Sequence, residues 1–208
     1  MRNDLPDWAL GNFTRPGGVN PIVFPDEHSR FMDPMTGKLL DWESNDTFNP
    51  AAVAKDGKIY ILYRAEDKSG QGIGGRTSRI GIAESSDGLK VKRSDKPILF
   101  PANDNQKEFE WTGGCEDPRV AVTEDGTYLM LYTQWNHKVP RLAAATSRDL
   151  VHWKKSGPVF REACQGKFFN MPTKSASILT RLVKDKLVIA KVNGTYWMYW
   201  GEANVYAA

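Results

Sequence analysis

A repeat constrains this chain more than any other feature. Three segments align around a two-residue turn: NPAAVAKDGKIYILYR (49–64), DPRVAVTEDGTYLMLYT (117–133) and LVIAKVNGTYWMYWG (187–201). Each runs from a β-branched stretch through Asp-Gly or Asn-Gly into alternating aromatic and aliphatic residues. Both dipeptides suit type I′ turns, whose central residues need positive φ, so the segments are predicted to be β-hairpins. A further strand-like segment follows each hairpin: SRIGIAESSDG from Ser78, PRLAAATSRDL from Pro140 and ANVYAA from Ala203. A third echo, KPILF at 96–100 and GPVF at 157–160, has a forerunner in NPIVF at 20–24. No stretch carries the amphipathic period of a helix.

The predicted fold is all-β, with about four short strands per unit, the content of a propeller blade. The units fall at about 45–101 and 112–161, with a partial one at 174–208. Two and a half blades cannot close a ring, and an open ring leaves strand edges unpaired. The sequence is therefore expected to be an incomplete propeller, inactive and poorly folded by itself. A compact sandwich of the same strands is the alternative.

Composition narrows the function classes. The net charge is +3 and the Lys and Arg residues are scattered, without the concentrated basic face that binds nucleic acid. No run approaches the ~18 apolar residues of a membrane span, and the opening MRNDLPDWALGNF lacks the apolar centre of a signal peptide. Cys115 and Cys164 match no zinc or redox spacing and are read as unpaired. His28, His137 and His152 show no metal-like spacing, so neither metal nor cofactor is expected.

In a propeller the opening strand of each blade lines the central channel, so residues at the repeat starts face a ligand. These are Asn49, Asp117 and the stretch before Lys191. Asp117, within GGCEDPRV (113–120), stands where the earlier repeat has Asn49, which makes the acid a specialised form of a repeated position. Around the same hairpin ends lie Asn45, Asp46, Arg64, Glu66, Asp67, Arg79, Gln134, Trp135, Asn136, Arg141, Lys174 and Glu202. Carboxylates, arginines, amides and tryptophans suit a sugar: aromatic faces pack on the apolar side of a pyranose, and planar polar groups bond its hydroxyls. The bland reading is that the arginines and acids pair to hold the loops, and Arg119 is assigned that role. Two carboxylates about 6.5 to 9.5 Å apart across a glycosidic bond leave room for a water and invert the anomeric carbon.

The motifs WALGNFTRPGGVNPIVFP, WESNDTFNPAAV, LYRAEDKSGQGIGGRTSRIG, GGCEDPRVAV, YTQWNHKVPRLAAATS and NGTYWMYWGE occur in order from Trp8 to Glu202. Together they resemble glycoside hydrolase family 130, five-bladed propellers that include β-mannoside phosphorylases and β-1,2-mannosidases. The resemblance implies that Asp117 is the catalytic acid, acting in the phosphorylases through a substrate hydroxyl. Phosphorylases of the mannosylglucose type carry an arginine near the position of Asn136, and an Arg-Pro segment where this chain reads Trp200-Gly201-Glu202. An amide and a carboxylate in place of cations suit a water better than a phosphate dianion. The expected activity is an inverting, exo-acting β-1,2-mannosidase, with Glu202 as base or base partner and a mannose-containing oligosaccharide as substrate. A phosphorylase using inorganic phosphate is the alternative, to which Lys174 and Lys191 could contribute an anion site; a non-catalytic carbohydrate-binding propeller is the third reading. The resemblance also implies a periplasmic or cell-envelope location, with the cytoplasm as the alternative.

Overall fold

The structure, a computed structural model, describes residues 14–208. The signal-peptide reading of the opening residues and the Trp8–Phe13 part of the first motif lie outside the described residues. A ribbon of β1 (Asp26–Asp33) and β2 (Lys38–Glu43) precedes the repeats. The first unit comprises β3 (Asp46–Lys55), β4 (Lys58–Glu66), β5 (Ser78–Ser85) and β6 (Lys92–Arg93), paired antiparallel in that order. A single helical turn, α1 (Lys107–Glu110), leads into the second unit. There β7 (Gly114–Val122), β8 (Tyr128–Trp135), β9 (Arg141–Ser147) and β10 (Lys154–Pro158) repeat the arrangement. The units meet where Ser78 pairs in parallel with Gly114.

The third unit departs from the predicted alignment. Its opening strand is β11 (Ser175–Ile178), not the stretch before Lys191. The chain then makes a side hairpin, β12 (Thr180–Val183) with β13 (Lys186–Ile189), and a smaller one, β14 (Lys191–Val192) with β15 (Thr195–Tyr196). Only afterwards does β16 (Met198–Gly201) return to pair with β11, followed by β17 (Val205–Ala207). The Asn-Gly turn belongs to the minor hairpin, which moves Lys191 away from the repeat start.

Turn chemistry accounts for two of the three tips. Asp56 and Gly57 have φ of 52° and 74°, and Asn193 and Gly194 have 51° and 80°, as type I′ turns require. At the second tip only Gly126 is positive, at 83°. There the Thr123 amide bonds to Thr127 O (2.8 Å) and the Gly126 amide to Thr123 O (3.0 Å), giving a longer loop. Asp125 accepts from the Thr127 hydroxyl (3.1 Å) instead of entering the left-handed region.

Alternating apolar residues bury the seams. Leu62, Ile80 and Leu99 of the first unit pack with Met130, Tyr132 and Ala143 of the second. Leu131, Leu142 and Phe160 pack with Ala176 and Trp200 of the third. Trp42 of the ribbon lies against Tyr63 and Ala83. Cys115 is buried and Cys164 exposed, both as free thiols. Among the described residues, no helix is long and apolar enough to cross a membrane.

Candidate active site

Two bulges build the site. In β3 the register shifts between Phe48 and Ala51, and in β7 between Glu116 and Arg119. Asn49 and Asp117 occupy these bulges with φ of 47° and 51°, each followed by a proline that a regular central strand would not accept. A bulge re-aims the side chains beside it. Here it turns Asn49 and Asp117 toward each other, and Asn49 Nδ2 donates to Asp117 Oδ1 at 2.8 Å.

Arg64 of β4 lies beneath them and is 1% exposed. It donates to Asp117 Oδ1 (3.2 Å), Glu66 Oε1 (2.6 Å) and Ser78 Oγ (3.0 Å). Its Nη2 also lies 2.8 Å from Glu116 Oε1, a charge contact off the N–H axis. Lys174, just before β11, reaches Glu116 Oε2 at 3.2 Å and stands 3.8 Å from Asp117 Oδ2. Arg76 links Glu66 (3.1 Å) to Asp46 (2.5 Å). Three cations thus face four carboxylates, leaving the cluster one negative charge in formal excess. Burial pushes the Glu116 carboxyl above the usual carboxylate range, against the pull of Arg64 and Lys174.

Asp117 therefore has one oxygen, Oδ1, held by two donors, while Oδ2 accepts no hydrogen bond among the described residues. Asn49, Asp117 and Lys174 come from three successive units, so the cluster sits where those units converge. Of the residues singled out in the sequence, Asn45, Asp46, Asn49, Arg64, Glu66, Asp117 and Lys174 join this network; Asn45 Nδ2 donates to Asp46 Oδ2 at 2.6 Å.

The others lie elsewhere. Arg79 is buried in a separate network with Asp67 (2.7 Å) and Asp33 (3.4 Å). Gln134 donates to Glu110 (3.0 Å) inside the second unit, where burial raises the Glu110 carboxyl although Lys155 lies 2.5 Å away. Trp135 Nε1 donates to Gly74 O (2.7 Å), tying β8 to the glycine-rich loop after β4. Asn136 ties its loop to α1, donating to Glu108 O at 2.9 Å. Arg141 donates to Asn170 (2.7 Å) and stacks near Phe109 and Phe169. Lys191 lies over the exposed Tyr196 ring at 4.8 Å.

Glu202 is exposed and lines a cavity of about 300 Å³ together with Arg119, Ser175 and Trp200. Among the described residues no hydrogen bond or ion pair joins it to Asp117. Among the described residues Arg119 is paired with no acid: it is exposed and bonds the Pro118 carbonyl, at 2.8 Å. The sequence reading missed Glu116, Ser78 and Arg76. A proline inside a strand-like run, Pro118, was the available signal of the bulge that brings Glu116 in. Among the described residues no group of His, Cys, Asp and Glu is placed to hold a metal.

Residues 29–207 match the model of the Glyco_hydro_130 family, described as β-1,4-mannooligosaccharide phosphorylase. The chain belongs to glycoside hydrolase family 130. Among solved structures of the family, it superposes on one described under the statement that family 130 of mannoside phosphorylases contains glycoside hydrolases that target β-1,2 mannosidic linkages in Candida mannan. The TM-score is 0.95 at 60% identity, covering 100% of this chain and 58% of that one. A glycosyl hydrolase from Bacteroides ovatus gives a TM-score of 0.95 at 61% identity, over 99% of this chain and 57% of that one. A curated relative, the 1,2-β-oligomannan phosphorylase of Thermoanaerobacter sp. (strain X514), is 34% identical over 72% of this chain and 47% of its own length. The chain thus spans about half the length of the curated relatives it matches. The solved family-130 relatives are five-bladed β-propellers, and the antiparallel units described above are blades of that fold.

Proposed function

We propose that the protein carrying this chain is an inverting, exo-acting β-1,2-mannosidase, in which Asp117 donates the proton to the leaving oxygen and water attacks the anomeric carbon. The observation that carries this reading is the charge balance at Asp117. Arg64, Arg76 and Lys174 are each already paired with carboxylates, so a phosphate dianion would have to displace an existing partner. A neutral water and a neutral sugar need no such exchange. Identity near 60% to glycoside hydrolase structures supports the same side. Glu202, exposed on its cavity rim, is the proposed base or base partner. The envelope location expected from the family belongs to this proposal.

The second reading, a mannoside phosphorylase, is favoured by two curated relatives named as phosphorylases, 1,2-β-oligomannan phosphorylase and β-1,2-mannobiose phosphorylase. Incubating the protein with β-1,2-mannobiose, with and without inorganic phosphate, separates the readings. Hydrolysis gives free mannose at a rate indifferent to phosphate. Mannose 1-phosphate formed only when phosphate is present would overturn the proposal.

A further inference from the structure

We infer that Glu116 is a positioning residue for proton donation: it draws Lys174 and Arg64 to itself and keeps both cations from closing on the free oxygen of Asp117. The inference rests on Asp117 being the acid. Lys174 Nζ is within hydrogen-bond range of Glu116 Oε2 at 3.2 Å but outside it for Asp117 Oδ2 at 3.8 Å. The preference is therefore visible in the side-chain positions. Arg64 divides likewise, with Nη2 between Glu66 and Glu116 and only Nη1 on Asp117.

The charged groups facing Glu116 are Arg64 and Glu66 from β4, Lys174 from the segment before β11, and Asp117 beside it on β7. Arg76 and Asp46 stand behind Glu66, and the uncharged Asn49 and Ser78 donate to Asp117 and Glu66, not to Glu116. Removing the Glu116 charge leaves Asp117 as the remaining carboxylate within reach of Lys174. A cation closing on a carboxylate favours its ionised form, and loss of a neighbouring like charge acts in the same direction. Both effects make a proton on Asp117 harder to keep as pH rises. Glu116 is 2% exposed, so solvent does little to screen them.

The test is the pH profile of kcat/KM for Glu116→Gln on β-1,2-mannobiose. The alkaline limb should move to lower pH: activity falls roughly 10- to 100-fold at neutral pH and recovers toward wild type at the acid end. Glu116→Asp, which keeps the charge, should restore most of the neutral-pH rate. A loss that is equal at every pH, or a limb that coincides with wild type, overturns the inference. Asp117→Asn separates this from failure of the underlying reading. If that variant turns over substrate, the acid assignment falls and the inference with it; if it is inactive while the Glu116→Gln limb stays put, only the inference falls. Should Glu116→Gln not fold, carboxyl ¹³C titration of the wild type answers the question. The signals of Glu116 and Asp117 should then move as a coupled pair with biphasic curves, and independent single-step curves overturn the inference.

Discussion

Asn49 reaches Asp117 from a backbone that few residues tolerate. Its φ of 47° lies in the left-handed region, where asparagine is among the accepted L-residues. Two substitutions separate backbone from side chain. Asn49→Gly keeps the conformation and Asn49→Ala strains it by about 1 kcal/mol, while both remove the Nδ2 bond. Both should lower kcat by roughly tenfold, the value of one hydrogen bond to a charged group. Only the alanine variant should melt about 2–4 °C lower than the glycine variant. Steady-state kinetics and thermal melts check this, and an unchanged kcat would remove Asn49 from the site. Strand alternation explains how much of the site could be read in advance. The sequence pointed to the right strand ends but not to the right neighbours. Arg79 faces Asp67 while the adjacent Ser78 faces Arg64, and Gln134 faces Glu110 while Thr133 bonds the Lys174 carbonyl. Glu116 was overlooked because regular alternation sends it to the face opposite Asp117, and only the bulge brings both carboxylates to the same cations.

At the scale of elements, the seam between β5 and β7 holds the site in register. Ser78 receives both the Gly114 pairing and the Arg64 guanidinium. Gly114 has φ of 108°, and a Cβ there would strike the Ser78 backbone. Gly126, at the β7–β8 tip with φ of 83°, faces open space. Gly114→Ala should therefore cost more than about 3 kcal/mol, since two main chains must separate, whereas Gly126→Ala should cost only about 1 kcal/mol from backbone strain. Urea titration of both variants checks the ordering, and equal costs would show that the seam yields. The elements were legible where turn chemistry and strand pattern coincide, as at Asp56-Gly57. They were not where a second hairpin intervenes: Asn193-Gly194 is a true hairpin turn, but the strand that pairs with β16 begins at Ser175, outside the aligned segment 187–201.

At the scale of the molecule, the all-β propeller reading rested on repetition, which survives errors of a few residues in any single strand. The same geometry explains the function proposed. Asn49 opens the first unit, Asp117 the second, and Lys174 immediately precedes the opening strand of the third, so three blades each place a side chain at one end of the assembly. The apolar seams hold those starts together, and the cluster they form is balanced toward negative charge. The most direct test compares Asp117→Asn with wild type for both turnover and binding of β-1,2-mannobiose in phosphate-free buffer. If Asp117 donates the proton, kcat falls by about 10³-fold or more, with the dissociation constant held within about tenfold. Turnover within about tenfold of wild type would contradict it.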